Sequence, residues 1–211
     1  MSNELCILAK KYNVDKCPDI DSRWPTHSYT PAYHTLLKDS RLRPFIFLEI
    51  GIGNVELMNG IVNNYKPGAS LRMWRDYMPA AQIFGCDIIT SVLFEEDRIK
   101  TFYADQSDQG SLYNLYRQIY KESADSYIDI IIDDGSHKKE HQVFSFTHLW
   151  QFIRPGGGLY IIEDVNEKEL DFFKGLPLQL GFTDCVCIFV HHSAERAYYG
   201  EGDNFIAFQK I

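Results

Sequence analysis

Five apolar runs of strand length, each with an acidic residue last or next to last, recur along this chain with helix-patterned stretches between most of them. They are "FIFLEI" (45–50), "AQIFGCDI" (81–88), "IKTFYAD" (99–105), "YIDIIIDD" (127–134) and "GLYIIED" (158–164). A near-continuous apolar strand is one covered on both faces, and strands that alternate with helices build parallel sheets. The intervening stretches carry the helical period. Leu71, Trp74 and Met78 recur on one face of "SLRMWRDYM", and Leu112, Leu115 and Ile119 do so in "SLYNLYRQIY". Val143, Phe146 and Trp150 mark a third stripe between His137 and Ile153, which the turn Pro155-Gly156-Gly157-Gly158 ends.

The last two apolar runs, "DCVCIFV" (184–190) and "NFIAFQK" (204–210), have no helical pattern between them. They predict a closing antiparallel pair joined by a long loop, in which Tyr198-Tyr199-Gly200-Glu201-Gly202 is a candidate cap for a pocket. The expected fold is α/β and Rossmann-like: a seven-stranded sheet, six strands parallel and one inserted antiparallel, with helices on both faces. "SYTPAYHTLLKD" predicts a helix after Pro31, inside an N-terminal segment (1–44) that covers one end of the sheet. No linker composition interrupts the chain, so one domain over 1–211 is expected.

Composition excludes several classes. Hydrophobic residues make up 45% of the chain, enough for a large core. A net charge of −8 argues against a nucleic-acid binder, which shows a basic patch. No apolar run approaches the ~20 residues that span a bilayer, and "LCILA" near the start is too short for a signal-peptide core. The 5 cysteines form no C-x-x-C pair. Free thiols, a reducing compartment and a cytoplasmic location are the expectation.

In open parallel sheets, ligands bind outside the carboxyl ends of the strands. At those ends stand Glu49-Ile50-Gly51-Ile52-Gly53, Asp87, Asp105-Gln106, Asp133-Asp134 and Glu163-Asp164. A rim of carboxylates suits a cationic or hydroxyl-rich ligand, or a metal ion. Gly51 and Gly53 let backbone approach a ligand. The dinucleotide fingerprint is incomplete, because position 56 is Glu. Asp87 closes the second strand, where Rossmann-like folds place the acid that binds ribose hydroxyls. In "IDIIIDDGSHKKEH", Gly135 allows a sharp turn, Ser136 is expected to start a helix, and His137 to sit in its first turn. The same stretch contains H-x-x-E-H, which raises a zinc-peptidase alternative with His137 and His141 as ligands and Glu140 as base.

"LEIGIG", "GASLRMWRDYMPAAQIFGCDI", "DQSD", "DIIIDDGSHKKEHQ" and "IRPGGGLYIIEDV", in this order, resemble the class I S-adenosylmethionine-dependent methyltransferases. More narrowly they resemble the metal-dependent O-methyltransferases of macrolide and related antibiotic sugars, over roughly Tyr29 to Lys210. "KYNVDK" and "HSYTPAY" are similar to the segment that leads into that family's catalytic domain. Family members often carry a long N-terminal domain, and here only 1–44 precede the first strand. The resemblance implies S-adenosylmethionine and Mg²⁺ as cofactors. It implies Glu49, Gly51 and Gly53 along the methionine and ribose, Asp87 on the ribose, and Asp105 or Gln106 at the adenine edge. Asp133 goes to the cofactor side or exchanges roles with Asp134. Ser70 either meets the cofactor carboxylate at a helix start or serves as the N-cap. The resemblance gives Mg²⁺ to Asp134 and to Asp164 or its neighbour Glu163, and makes His137 the base. The acceptor it implies is a small molecule bearing a hydroxyl, a sugar or another polyol, with no nucleic acid or membrane as partner and with homo-oligomerisation. An alcohol of pKa ~16 is a poor nucleophile, so a divalent ion and a nearby base make chemical sense together. The rival from another class is a catalytically silent cofactor-binding module. Joint presence of metal ligands and base separates the two.

Overall fold

Residue parity along each strand divides the apolar side chains between two faces, and helices cover both. The computed structural model describes residues 3–18, 20–23, 26–193 and 203–211. On β1 (Ile46–Ile50), Phe47 faces one core, whereas Ile46, Leu48 and Ile50 face the other. The same alternation runs through β5 (Ile130–Asp133) and β6 (Leu159–Ile162): Ile130, Ile132, Leu159 and Ile161 point one way, Ile131, Tyr160 and Ile162 the other.

The first core is closed by α1 (Glu4–Tyr12), α2 (Tyr29–Leu37) and α4 (Ala69–Tyr77), through residues such as Leu5, Tyr33 and Trp74. The second is closed by α5 (Gln109–Ser123), α6 (Lys139–Leu149) and α7 (Leu170–Gln179), through Leu115, Phe146 and Phe173. A single turn, α3 (Val55–Met58), follows β1.

The remaining strands are β2 (Gln82–Asp87), β3 (Glu95–Glu96), β4 (Ile99–Tyr103), β7 (Cys185–Ser193) and β8 (Asp203–Lys210). Their order is β3-β4-β2-β1-β5-β6-β8-β7. β8 is antiparallel to both β6 and β7, so it is the inserted antiparallel strand the sequence predicts. The count is eight rather than seven. The extra strand, β3, contributes two residues and pairs antiparallel with β4, too short to leave a sequence pattern. Two helix starts also differ from expectation. α2 begins at Tyr29, which puts Pro31 in the first turn, where a missing N–H costs nothing. α6 begins at Lys139, with Lys138 as its N-cap, so Ser136 does not start it and His137 lies outside it. The expected cap at Tyr198-Tyr199 falls outside the described residues. No helix among the described residues is long and apolar enough to cross a membrane.

β1 pairs with β2 on one side and β5 on the other, so the strand order reverses there and a crevice opens at the carboxyl ends. Gly51 makes that crevice possible. Its φ is +94°, and a Cβ there would stand 2.0 Å from the carbonyl oxygen of Asp134. Gly51→Ala combines backbone strain with a backbone clash, and we expect it to cost at least about 2 kcal/mol in urea unfolding. A loss below about 0.5 kcal/mol would mean that the two turns separate easily.

Candidate active site

The crevice is a cavity of about 870 Å³, within the ~300–1,000 Å³ range of small-molecule sites. Carboxylates from Asp15, Asp87, Asp105, Asp134, Glu163 and Asp164 line it, and Lys16 is the only lysine or arginine among the described lining residues. Five of these acids come from the strand ends. Asp15 and Lys16 come from the segment between α1 and α2, which folds over the rim together with Thr26 and His27.

At the end of β2, both Asp87 oxygens accept backbone amides, Oδ2 from Ile52 and Oδ1 from Ile89, each at 2.9 Å. Each oxygen keeps a lone pair for a ligand hydroxyl. Gly53 has φ +74°, and a Cβ there would meet the Tyr65 hydroxyl at 2.4 Å. Asp105 accepts from the Ser107 amide at 2.9 Å and hydroxyl at 2.6 Å, which holds its carboxyl below the usual range. Gln106 lines the cavity, but its amide is committed: Oε1 accepts from the Ser136 amide at 2.6 Å and Nε2 donates to Asp133 at 3.1 Å. It clamps the turn after β5.

Parity decides the paired acids. Asp133, 0% exposed, points into the α6 face, where it accepts from Gln106, from Ser145 and from Tyr160 at 3.3 Å. Burial pushes its carboxyl up to about 6, against those hydrogen bonds. Glu49, also 0% exposed, points toward α4 and accepts from Ser70 at 2.6 Å and Trp74 at 3.4 Å. Burial raises it to about 7. Neither Glu49 nor Asp133, both expected on the cofactor side, lines the cavity; each is turned to a helix-covered face with its oxygens engaged by protein donors. Ser70 does line it, with its hydroxyl donated to Glu49; the N-cap of α4 is Gly68, so the capping alternative for Ser70 falls.

One residue further along β5 and β6, the next acids reach the rim. Asp134, His137 and Asp164 each offer a ligand atom, and these atoms lie within 4.8 Å of one another. His137 Nε2 is 3.1 Å from Asp134 Oδ1 and 3.3 Å from Asp164 Oδ2. Both His137 (φ +56°) and Asp164 (φ +50°) adopt left-handed backbone, a conformation that His and Asp tolerate better than most residues and that recurs at functional sites. It is the left-handed turn, not a helix terminus, that aims His137. Burial works to lower the imidazole, but Asp164 and Asp134 outweigh it and raise His137 to about 9. Its proton is held by the same two carboxylates that complete the cluster. Two carboxylates at this spacing suit a divalent ion with positions left for oxygen ligands, and the imidazole stands beside them as a third ligand or as a base.

Glu163, by contrast, turns inward with Tyr33 (2.5 Å) and Lys16 as its partners. Lys16 was not legible as a site residue, and its ammonium also bonds Asp134 and lies 3.6 Å from Glu49. Burial lowers the Lys16 ammonium, yet the surrounding carboxylates hold it well above its usual value. Burial acts upward on both acids. Asp134, 24% exposed, is still held well below the carboxylate range by Lys16 and His137, whereas Glu163, 1% exposed, stays above it. Tyr29 and His27 were also missed. The Tyr29 hydroxyl donates to Asp164 Oδ1 at 2.7 Å, and the His27 ring stacks on Tyr29 with Nε2 3.5 Å from the same oxygen.

The zinc-peptidase geometry is absent among the described residues. His137 lies before α6, so it shares no helix face with His141, whose Nδ1 instead bonds Ser136 Oγ at 2.9 Å.

A reversed strand order with an acidic crevice at its carboxyl ends, and β8 inserted antiparallel, define the class I methyltransferase fold. No protein-family profile matches the chain. Individual proteins do. The chain is 37% identical to 8-demethyl-8-alpha-L-rhamnosyl tetracenomycin-C 2'-O-methyltransferase of Streptomyces olivaceus, over 88% of this chain and 45% of that protein. It is 39% identical to mycinamicin VI 2''-O-methyltransferase of Micromonospora griseorubida, over 66% of this chain and 32% of that one. The structure of the MycE methyltransferase from the mycinamycin biosynthetic pathway, in complex with Mg, SAH and mycinamycin VI, superposes with a TM-score of 0.71 at 30% identity, covering 99% of this chain and 54% of that one. Within its class, the chain is homologous to the O-methyltransferases of macrolide and other antibiotic sugars. It spans about half the length, or less, of these relatives.

Proposed function

We propose that this chain is an S-adenosylmethionine-dependent, Mg²⁺-dependent O-methyltransferase whose acceptor is a hydroxyl of a sugar or another small polyol. The observation that carries the reading is the Asp134–His137–Asp164 cluster on the wall of the same crevice as Asp87. The relatives named above are sugar O-methyltransferases, and MycE was solved with Mg and SAH. A wall with six carboxylates and one lysine favours a sulfonium cation and a divalent ion over an anionic ligand.

The chain's own residues divide the task. Asp87 would hold the ribose hydroxyls, with its rotamer set by the Ile52 and Ile89 amides. The turns at Gly51 and Gly53 line the cavity with backbone, against which the cofactor would lie. Asp134 and Asp164 would hold the ion, with Tyr29 orienting Asp164. When bound, the ion supplies positive charge that acidifies and orients the acceptor hydroxyl. With an ion drawing Asp134 and Asp164 to itself, the proton these carboxylates favour on His137 in the metal-free chain would no longer be held there, and Nε2 would be placed to take the acceptor's proton. The silent-module alternative is disfavoured, because the residues proposed as metal ligands and base stand together. Five free cysteines fit a reducing cytoplasm, and the net charge of −8 fits a small-molecule acceptor rather than nucleic acid.

Calorimetry with S-adenosylhomocysteine tests the cofactor half. The parent chain binds it, and Asp87→Ala weakens binding by about 10- to 100-fold through loss of a charge-assisted hydrogen-bond acceptor. Binding by the variant equal to the parent's, or no binding by the parent, refutes the assignment.

A further inference from the structure

Lys16 belongs to no strand end, yet its ammonium is the positive charge at the centre of the rim. The side chain is 2% exposed. It bonds Asp134 Oδ2 and Glu163 Oε2, and Glu49 Oε1 lies 3.6 Å away, past hydrogen-bond reach but within ion-pair distance. Asp134 therefore faces two ways: Oδ2 toward Lys16, and Oδ1 toward His137 and the outer cluster. Without a cation at this point, Asp134 and the fully buried Glu163 and Glu49 would repel one another in a poorly hydrated place. A divalent ion held by Asp134 would stand one carboxylate away from the ammonium, and like charges that close oppose each other.

We propose that Lys16 is a tethered cation that neutralises Asp134 and Glu163 in the metal-free chain and competes with a divalent ion for Asp134, so that it sets how tightly the site holds its metal. Lys16 acts through Asp134 and is a positioning residue. The inference rests on the outer cluster being a metal site. It adds that the segment between α1 and α2, by placing this one ammonium, weakens metal affinity while keeping the empty site folded.

The test is Mn²⁺ binding by calorimetry together with thermal unfolding, with and without Mn²⁺, for the parent, Lys16→Met and Lys16→Met/Glu163→Gln. Lys16→Met is expected to bind Mn²⁺ at least about tenfold more tightly than the parent. It should also melt lower than the parent without metal and gain more from Mn²⁺ than the parent does. The double variant also removes an acid that burial already keeps above the carboxylate range, so it should keep the tighter Mn²⁺ binding of Lys16→Met and recover part of its lost stability. A purely structural lysine would give a lower Tm that Mn²⁺ does not restore, and that result overturns the proposal. So does a folded Lys16→Met variant with equal or weaker Mn²⁺ affinity. If Lys16→Met does not fold without metal, refolding in Mn²⁺ is the expected result, and failure to refold counts against the proposal. Mn²⁺ binding by the variant but not the parent would uphold the competition and refute the parent as a metal enzyme. Binding by neither would overturn both.

Discussion

EDTA is expected to abolish methyl transfer by this chain, and excess Mg²⁺ to restore it, while S-adenosylhomocysteine affinity stays within about threefold. The separation follows from geometry. Asp134 and Asp164 present their outer oxygens to His137 at 3.1 and 3.3 Å, whereas Asp87 faces the Ile52 and Ile89 amides across the crevice. On the proposed reading, metal and cofactor use different carboxylates of one rim. Asp134→Asn and Asp164→Asn should each lower kcat by about 10³-fold, since a divalent ion contributes several kcal/mol of charge stabilisation. Asp133→Asn is the control. Its carboxylate is turned toward Ser145 and Tyr160 and does not line the cavity. Its replacement should lower stability more than metal affinity. Full activity in chelator would remove the metal from the mechanism and leave acid–base catalysis alone.

His137→Ala is expected to lower kcat by about 10²–10⁴-fold, the usual range for loss of a general base, with cofactor and Mn²⁺ binding retained. The imidazole is at the mouth of the site, with its side chain 44% exposed, so its removal leaves no cavity in the core. His141→Ala should cost less than about tenfold, because its ring is engaged by Ser136 Oγ and forms no part of the metal cluster. Near-full kcat in the His137 variant would move the proton to a carboxylate or to water. Loss of Mn²⁺ binding in that variant would make His137 a ligand rather than a base.

The elements were legible wherever a run carried one clear period. All five acidic-tipped strands and the last two strands appear within a few residues of their predicted places. β3 was not, since two residues carry no period. The start of α6 was misplaced because Gly135-Ser136 looks like a helix entry. The chain instead takes a left-handed step at His137, and the helix begins two residues later. Ser70 and Gln106 were placed at the site, but their polar groups serve neighbours first, Glu49 in one case and Ser136 and Asp133 in the other.

By itself, the sequence determined the alternation of strands and helices, and therefore a parallel sheet with its acids at one rim. Local periodicity and turn chemistry are properties of a dozen neighbouring residues, and a single chain displays them. Only the tertiary structure decided how each acid of a pair is turned. The side-chain period of two turns Asp133 into the α6 face, off the cavity, and turns Glu163 toward Tyr33 and Lys16 at the cavity's inner wall, while Asp134 and Asp164 meet His137 at its outer side, and that depends on which helix covers which face. Tertiary structure alone also revealed Lys16. Its partners lie 118 and 147 positions away in the chain, so no local pattern marks this lysine. What selects it is the need for a buried positive charge where three strand ends bring their carboxylates together.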